Sequence, residues 1–211
     1  MTGQAVLRTD RLRLVPLAEE HLPHEVELDA DPAVMRYLGN GAARTAAEVA
    51  HYHRRRLAVA DLVPGLGFWA GFGTEQAGTE QATTEQATAE QAGIERFVGW
   101  WVLEPPERPD QGPVEGQAEL GYRLLRRYWR QRLASEGARE LLRHGFADLG
   151  LRRIFAETMA VNQASRATMA RIGLRYVRTF FADWDEPIPG AEHGEVEYAI
   201  TRDEWLAGER R

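Results

Sequence analysis

The chain of 211 residues contains no cysteine and no lysine, and only two serines, Ser135 and Ser165. Without cysteine there are no disulfides, no zinc–thiolate sites and no cysteine acyl-enzyme. All 26 basic residues are arginine, which removes the phosphate-binding lysine of a P-loop, any Schiff-base lysine and the S-x-x-K nucleophile. Neither serine stands in G-x-S-x-G, so an α/β-hydrolase elbow is excluded. Of the six histidines, only His21/His24 and His51/His53 form close pairs, and neither pair has the H-E-x-x-H order, so no metal is expected. No stretch approaches the roughly 20 apolar residues that span a bilayer, and no apolar run follows a basic start. The expectation is a soluble, cytoplasmic protein that does not enter membranes.

What is present is the composition of a globular domain, with 44% hydrophobic residues and six tryptophans. The formal charge of -6 argues against a general nucleic-acid binder. Four of those six charges come from one place: residues 73–92 are the pentads GTEQA, GTEQA, TTEQA and TAEQA, each with one glutamate. A five-residue period fits neither helix nor strand, and alanine is the only apolar residue in the repeat. The expected organisation is therefore one domain over 1–211, interrupted by this low-complexity insert at 73–92. Lengthening a loop from about 5 to about 25 residues adds only roughly 1.4 kcal/mol of closure entropy.

Along the chain, Arg11 to Pro16 alternates as a short strand, and residues 18–30 form a helix. Asp31-Pro32 starts a second helix that Gly39 closes, and Thr45-Ala46-Ala47-Glu48 is a capping box opening a third. The run Arg54 to Arg56 reads as that helix's solvated face. Residues 66–72 and 96–103 are strands on either side of the insert, antiparallel to each other. Residues 104–116 carry four prolines and two glycines and read as a loop. Gln117 to Leu124 alternates cleanly, with Ala118, Leu120, Tyr122 and Leu124 on one side and Glu119, Gly121 and Arg123 on the other. A helix follows with Ala138, Leu141, Leu142, Phe146 and Leu149 on one face and Gly150 at its end; Arg153 to Thr158 is the next strand. Strand, helix, strand with a short return implies a right-handed parallel crossover. Asn162 caps a helix ending near Ile172-Gly173, residues 176–182 and 195–200 are the last strands, and Thr201 to Glu204 is a second capping box.

Between the strand at 117–124 and the helix that follows it, Arg126, Arg127, Arg130 and Arg132 crowd one turn. A helix N-terminus presents unpaired N–H groups and a partial positive charge, so this turn is a candidate anion site for a phosphorylated cofactor.

Glu119-Leu120-Gly121-Tyr122-Arg123-Leu124, then Tyr128-Trp129, then Ala134-Ser135-Glu136 resemble the core of the GNAT acetyltransferases. Asn162 and Ser165 followed by Ile172-Gly173, the opening Thr9 to Leu14 and the closing Glu197-Tyr198 to Trp205 fit the same pattern. Within that family the resemblance is nearest to the ribosomal-protein N-terminal acetyltransferase branch. It implies an α+β fold: a mixed, largely antiparallel sheet flanked by helices, with one βαβ crossover forming the CoA site. It also implies acetyl-CoA as donor and an amine as acceptor, either a protein N-terminus or a small molecule, that attacks the thioester directly. A second copy in a homodimer is left open.

The resemblance also assigns roles. The backbone of Arg123 and Leu124 would bond the pantetheine and the thioester carbonyl. Arg127, Arg130, Gln131, Arg132, Leu133 and Ala134 would form the pyrophosphate turn. Asn162 would meet the pantetheine amide and Ser165 the departing thiolate, although either could simply cap its helix. Glu119, the carboxylate on the open face of the central strand, is the candidate base, against the alternative of an ordinary ion pair with a neighbouring arginine. Tyr37 and Trp69 could wall the acceptor pocket or pack in the core.

One position departs from the pattern: Arg132 stands where the family's W-x-x-G-x-A turn has glycine. If that glycine supplied only a left-handed conformation, arginine costs about 1–2 kcal/mol. If it supplied clearance for phosphate, a long side chain there obstructs binding. Arginine would add a charged donor in either case. A catalytically weak or inactive binding protein on the same fold is the alternative this departure raises.

Overall fold

The structure is a computed structural model that describes residues 3–74, 95–181 and 187–209. The pentads from residue 75 onward, and Ala182, lie outside the described residues. Among the described residues eight strands, β1 (Leu7–Arg8), β2 (Leu12–Pro16), β3 (Gly67–Gly73), β4 (Arg96–Glu104), β5 (Gln117–Leu124), β6 (Arg153–Met159), β7 (Arg175–Phe180) and β8 (Glu195–Thr201), form one sheet in the order β1-β2-β3-β4-β5-β6-β8-β7. Every pairing is antiparallel except β5 with β6, so the expected α+β sheet with a single parallel crossover is what forms.

The helices are α1 (Leu22–Asp29), α2 (Pro32–Met35), α3 (Ala46–Leu62), α4 (Leu133–Arg143), α5 (Gln163–Arg171) and α6 (Arg202–Glu209). Their starts follow local chemistry: Asp31 accepts the Ala33 N–H at 2.8 Å, and Thr45/Glu48 and Thr201/Glu204 close reciprocal capping boxes. α2 stops at Met35, four residues short of Gly39. α4 runs into a wider helical turn, His144–Asp148, and the chain leaves at Gly150 with φ 70°, where a side chain would be strained.

Alternation along β4 and β5 sorts side chains onto two faces. On one face Trp101, Leu103, Ala118, Leu120 and Leu124 pack with Leu133, Ala138, Leu141 and Phe146 of the crossover helix, and Met169 and Ile172 extend this core beneath α5. On the other face Phe68, Phe72, Phe97, Trp100 and Val102 pack under α1–α3 with Leu28 and Val34. Trp69 is fully buried against the α4 side and donates to the Ala5 carbonyl at 2.7 Å, so it is core and not a pocket wall.

Arg56 overturns the expectation of a solvated arginine face on α3: Arg54 and Arg55 are exposed, but Arg56 turns inward. It bonds Glu25 at 2.5 Å and Asp29 at 3.4 Å, two fully buried carboxylates of α1. Asp29 also takes Arg123 of β5 at 2.5 Å and Arg44 at 3.3 Å, and His53 closes on Glu25. Burial pushes the Asp29 carboxyl up, but Arg123, Arg56 and Arg44 together outweigh it and hold it below its ordinary value. This buried ion network fastens the helical layer to the central strand.

Candidate active site

β5 and β6 are paired only over Gln117/Arg153, Ala118/Ile154 and Glu119/Phe155, after which the two strands part. β5 continues to Leu124 with β4 on its other side. Leu125 donates to the Val98 carbonyl at 3.0 Å. Antiparallel alternation then turns the Arg123 N–H and C=O toward β4 and those of Tyr122 and Leu124 toward the gap. β4 approaches closely here, since a Cβ on Gly99 would lie 2.2 Å from the Arg123 carbonyl oxygen. The parted strands therefore leave a short unpaired edge, Tyr122 to Leu124, able to bond an extended chain bearing amides. Within that edge Trp129 donates its indole N–H to the Leu124 carbonyl at 2.8 Å.

On the face away from α4, carboxylates line up across four strands: Glu104 on β4, Glu119 on β5, Glu157 on β6 and Glu195 on β8. Glu104 and Glu119 are directly opposed, as are Glu157 and Glu197. Among the described residues Glu119 has no arginine partner within ion-pair distance; it accepts the Gln111 amide N–H at 3.0 Å. Burial, then Glu157 and Glu104, push its carboxyl up to about 8. Burial and Glu107 push Glu104 up to about 7, and burial and Glu157 push Glu195 to about 7. Glu157 is bound by Arg108 at 2.9 and 2.8 Å.

The turn between β5 and α4 places Arg126, Arg127, Arg130 and Arg132 on the surface. Arg127 pairs with Glu27 at 2.6 Å; among the described residues the other three have no ion pair. Arg132 is the N-cap of α4 with φ 64° and ψ 7°, and its side chain does not cap the helix. The left-handed conformation that glycine provides is therefore present here on arginine, with the guanidinium directed outward. Arg130 is left-handed too, at φ 62°, which the sequence did not signal. Gln131 donates to the Arg127 carbonyl at 2.9 Å, and Arg11 reaches the Gln131 carbonyl at 3.1 Å and Glu136 at 2.8 Å. Leu133 is buried and Ala134 half-buried. α4 thus begins without a side-chain cap, in a turn that carries three exposed arginines with no ion pair among the described residues.

Across the gap, the Asn162 side-chain oxygen Oδ1 accepts the Ser165 N–H at 3.3 Å while its side-chain NH2 donates to the Thr158 hydroxyl of β6 at 3.0 Å. The Tyr122 hydroxyl lies 3.3 Å from both the hydroxyl and the carbonyl oxygen of Ser165. Glu119, Tyr122, Leu124, Asn162 and Ser165 therefore gather around the parted strands, with Arg130 and Arg132 at one end. Arg123 is set apart, since its backbone N–H and C=O turn toward β4 and its side chain bonds Asp29. Tyr37 is half-buried, stacked under Arg36 at 5.1 Å.

Residues 11–175 match the acetyltransferase (GNAT) domain family. The chain is a GNAT acetyltransferase. It is 42% identical over 207 residues to the FsC-acetyl coenzyme A-N(2)-transacetylase of Aspergillus fumigatus, covering 97% of this chain and 79% of that protein. Solved GNAT structures share the architecture at low identity. A ribosomal L7/L12 alpha-N-protein acetyltransferase in complex with coenzyme A superposes with TM-score 0.70 at 17% identity, covering 95% of this chain and 99% of that one. A spermidine N-acetyltransferase from Vibrio cholerae, in complex with CoA and spermine, superposes with TM-score 0.68 at 13% identity over 94% and 99% of the two chains. This GNAT enzyme is thus an acetyl-CoA-dependent N-acetyltransferase that uses an amine acceptor. No helix among the described residues is long and apolar enough to cross a membrane. Gln111, Glu157 and Tyr122 complete its candidate site and were not foreseen. The only signal for them was that Tyr122 belongs to the alternating strand.

Proposed function

We propose that this GNAT enzyme acetylates a small-molecule amine, and that it does so in a single domain into which the pentads are inserted. The observation that carries this reading is Glu119 at the last paired position before β5 and β6 part, with an unpaired strand edge beginning three residues beyond. The Tyr122 N–H and C=O and the Leu124 N–H supply bonds for the pantetheine and a donor for the thioester carbonyl. Asn162 and Ser165 close the opposite side, with Ser165 toward the departing thiolate. The α4 N-terminus with Arg127, Arg130, Gln131, Arg132, Leu133 and Ala134 takes the pyrophosphate. Glu119 receives the amine proton, directly or through water.

Two observations favour a small molecule over a ribosomal-protein N-terminus. The relative at 42% identity is named an FsC-acetyl coenzyme A-N(2)-transacetylase, a name that carries no protein substrate, whereas the ribosomal-protein enzyme shares only the fold. The row Glu104, Glu119, Glu157 and Glu195 also suits an acceptor with positive charge beyond the reacting nitrogen. Thiol release from acetyl-CoA with FsC, a simple diamine and a peptide with a free N-terminus tests this. The small amines should give the higher kcat/KM, and preference for the peptide would overturn it.

The left-handed geometry of Arg132 yields a further prediction for the donor side. Because the conformation is already in place and the guanidinium points outward, Arg132→Gly should weaken acetyl-CoA binding up to about tenfold at low salt, through loss of a charged donor. The difference should shrink as salt screens it. Calorimetric titration of both proteins checks this, and tighter binding by the glycine variant would mean that the side chain obstructs phosphate.

A further inference from the structure

The loop joining β4 to β5 contains a glutamine whose amide is held at both ends. The Gln111 side-chain oxygen accepts the backbone N–H groups of Glu107 and Arg108, each at 2.9 Å. That pair of bonds settles which end of the amide is nitrogen. The NH2 group then donates to Glu119 at 3.0 Å and to Glu157 at 3.2 Å, so both of its hydrogens reach carboxylates on the two strands that part. Gln111 is only 4% exposed. A buried side chain with its oxygen and both hydrogens satisfied has one orientation, and it fixes the groups it touches.

We infer that Gln111 is a positioning residue for acetyl transfer, holding the Glu119 carboxylate at the mouth of the parted strands. The chemical type matters. A guanidinium in this place would orient Glu119 equally well but would also neutralise it and lower its basicity. The loop separates the two jobs: Arg108 takes Glu157 and also Asp110 at 3.1 Å, while the neutral amide takes Glu119. Glu119 is then oriented without a permanent counter-charge. The charged groups facing it are Glu104 from β4, Glu157 from β6 and Arg108 from the loop. Behind these, Glu104 faces Glu107, Arg55 and Arg56, and Glu195 faces Glu157 and Arg108.

This inference rests on Glu119 being the base, and its test separates the two. Gln111→Glu keeps an oxygen for the Glu107 and Arg108 N–H groups but turns a second carboxylate oxygen on Glu119 and Glu157. Gln111→Met removes donor and acceptor alike. In both variants the donor that favours ionised Glu119 is lost, so the Glu119 carboxyl 13C shift, assigned with Glu119→Gln, should titrate about one unit higher than in wild type. That is about tenfold less carboxylate at neutral pH. In kcat/KM against pH, measured with acetyl-CoA and whichever of FsC or the diamine turns over faster, the acid limb should move the same way. The rate at high pH should return toward wild type. A merely structural loop residue would depress the rate equally at every pH and leave the Glu119 midpoint in place, which would overturn the inference. If Glu119→Gln removes the limb but neither Gln111 variant moves it, Gln111 alone is misassigned. If Glu119→Gln leaves the limb in place, the base is misassigned and the inference falls with it.

Discussion

Glu119→Gln is expected to lower kcat/KM by about a hundredfold or more, the scale of a lost general base, and to abolish the acid limb of the pH profile. The sign follows from the site. The competent form of Glu119 is the carboxylate, and burial with Glu157 and Glu104 places its titration at about 8. The wild-type rate should therefore rise with pH toward about 8 and level off above it. An acceptor amine with an ordinary pKa near 8 to 10 would meet a base of comparable proton affinity, which is where general-base catalysis is most effective. Initial rates across this range, with a thermal melt to verify folding, decide the matter. Retention of both rate and limb would move the role to another carboxylate of the row, Glu157 first.

The second large effect concerns stability. Asp29→Asn is expected to destabilise the fold by about 3–5 kcal/mol, the usual consequence of removing one member of a buried ionic cluster. Asp29 is fully buried and faces Arg123, Arg56 and Arg44, leaving only Glu25 to counter Arg56. An asparagine of the same size can keep a hydrogen bond but not the charge. Urea denaturation should show a lower midpoint with an unchanged slope. A loss under about 1 kcal/mol would mean that water reaches the cluster and the arginines need no carboxylate there. Because Arg123 belongs to β5, whose edge is the proposed donor site, the same substitution should also weaken acetyl-CoA binding.

The fold was legible where a local rule decides it. Gln117–Leu124 alternates strictly, Thr45/Glu48 and Thr201/Glu204 have capping-box spacing, and Asn162 opens α5. The turn before α4 was legible as well, because an arginine in a glycine position raised the question of a left-handed backbone. What stayed hidden depends on partners far apart in sequence. Arg56 stands in a run of three arginines that reads as solvated, and only the packing of α1 on α3 brings Glu25 and Asp29 to it. Gln111 lies in a segment whose four prolines announce a loop and nothing about its reach. The row of glutamates exists because of register between β4, β5, β6 and β8. The same is true of the unpaired edge, since whether Arg123 or its neighbours point into the gap depends on which residue of β4 lies opposite. β1, at two residues, is too short to show a period.

The turn of exposed arginines has one more consequence. Under the proposed donor site, Arg126, Arg127, Arg130 and Arg132 stand around the pyrophosphate of acetyl-CoA, a pantetheine arm away from its thioester. Lysine at any of these positions would hold a primary amine, chemically the same as an acceptor, against each acetyl-CoA as it docks. A guanidinium keeps its proton at any physiological pH and offers no free lone pair for acylation. With no lysine anywhere in its sequence, the enzyme presents no side-chain amine to its own substrate, and the cations that attract the phosphates are inert to the chemistry they serve.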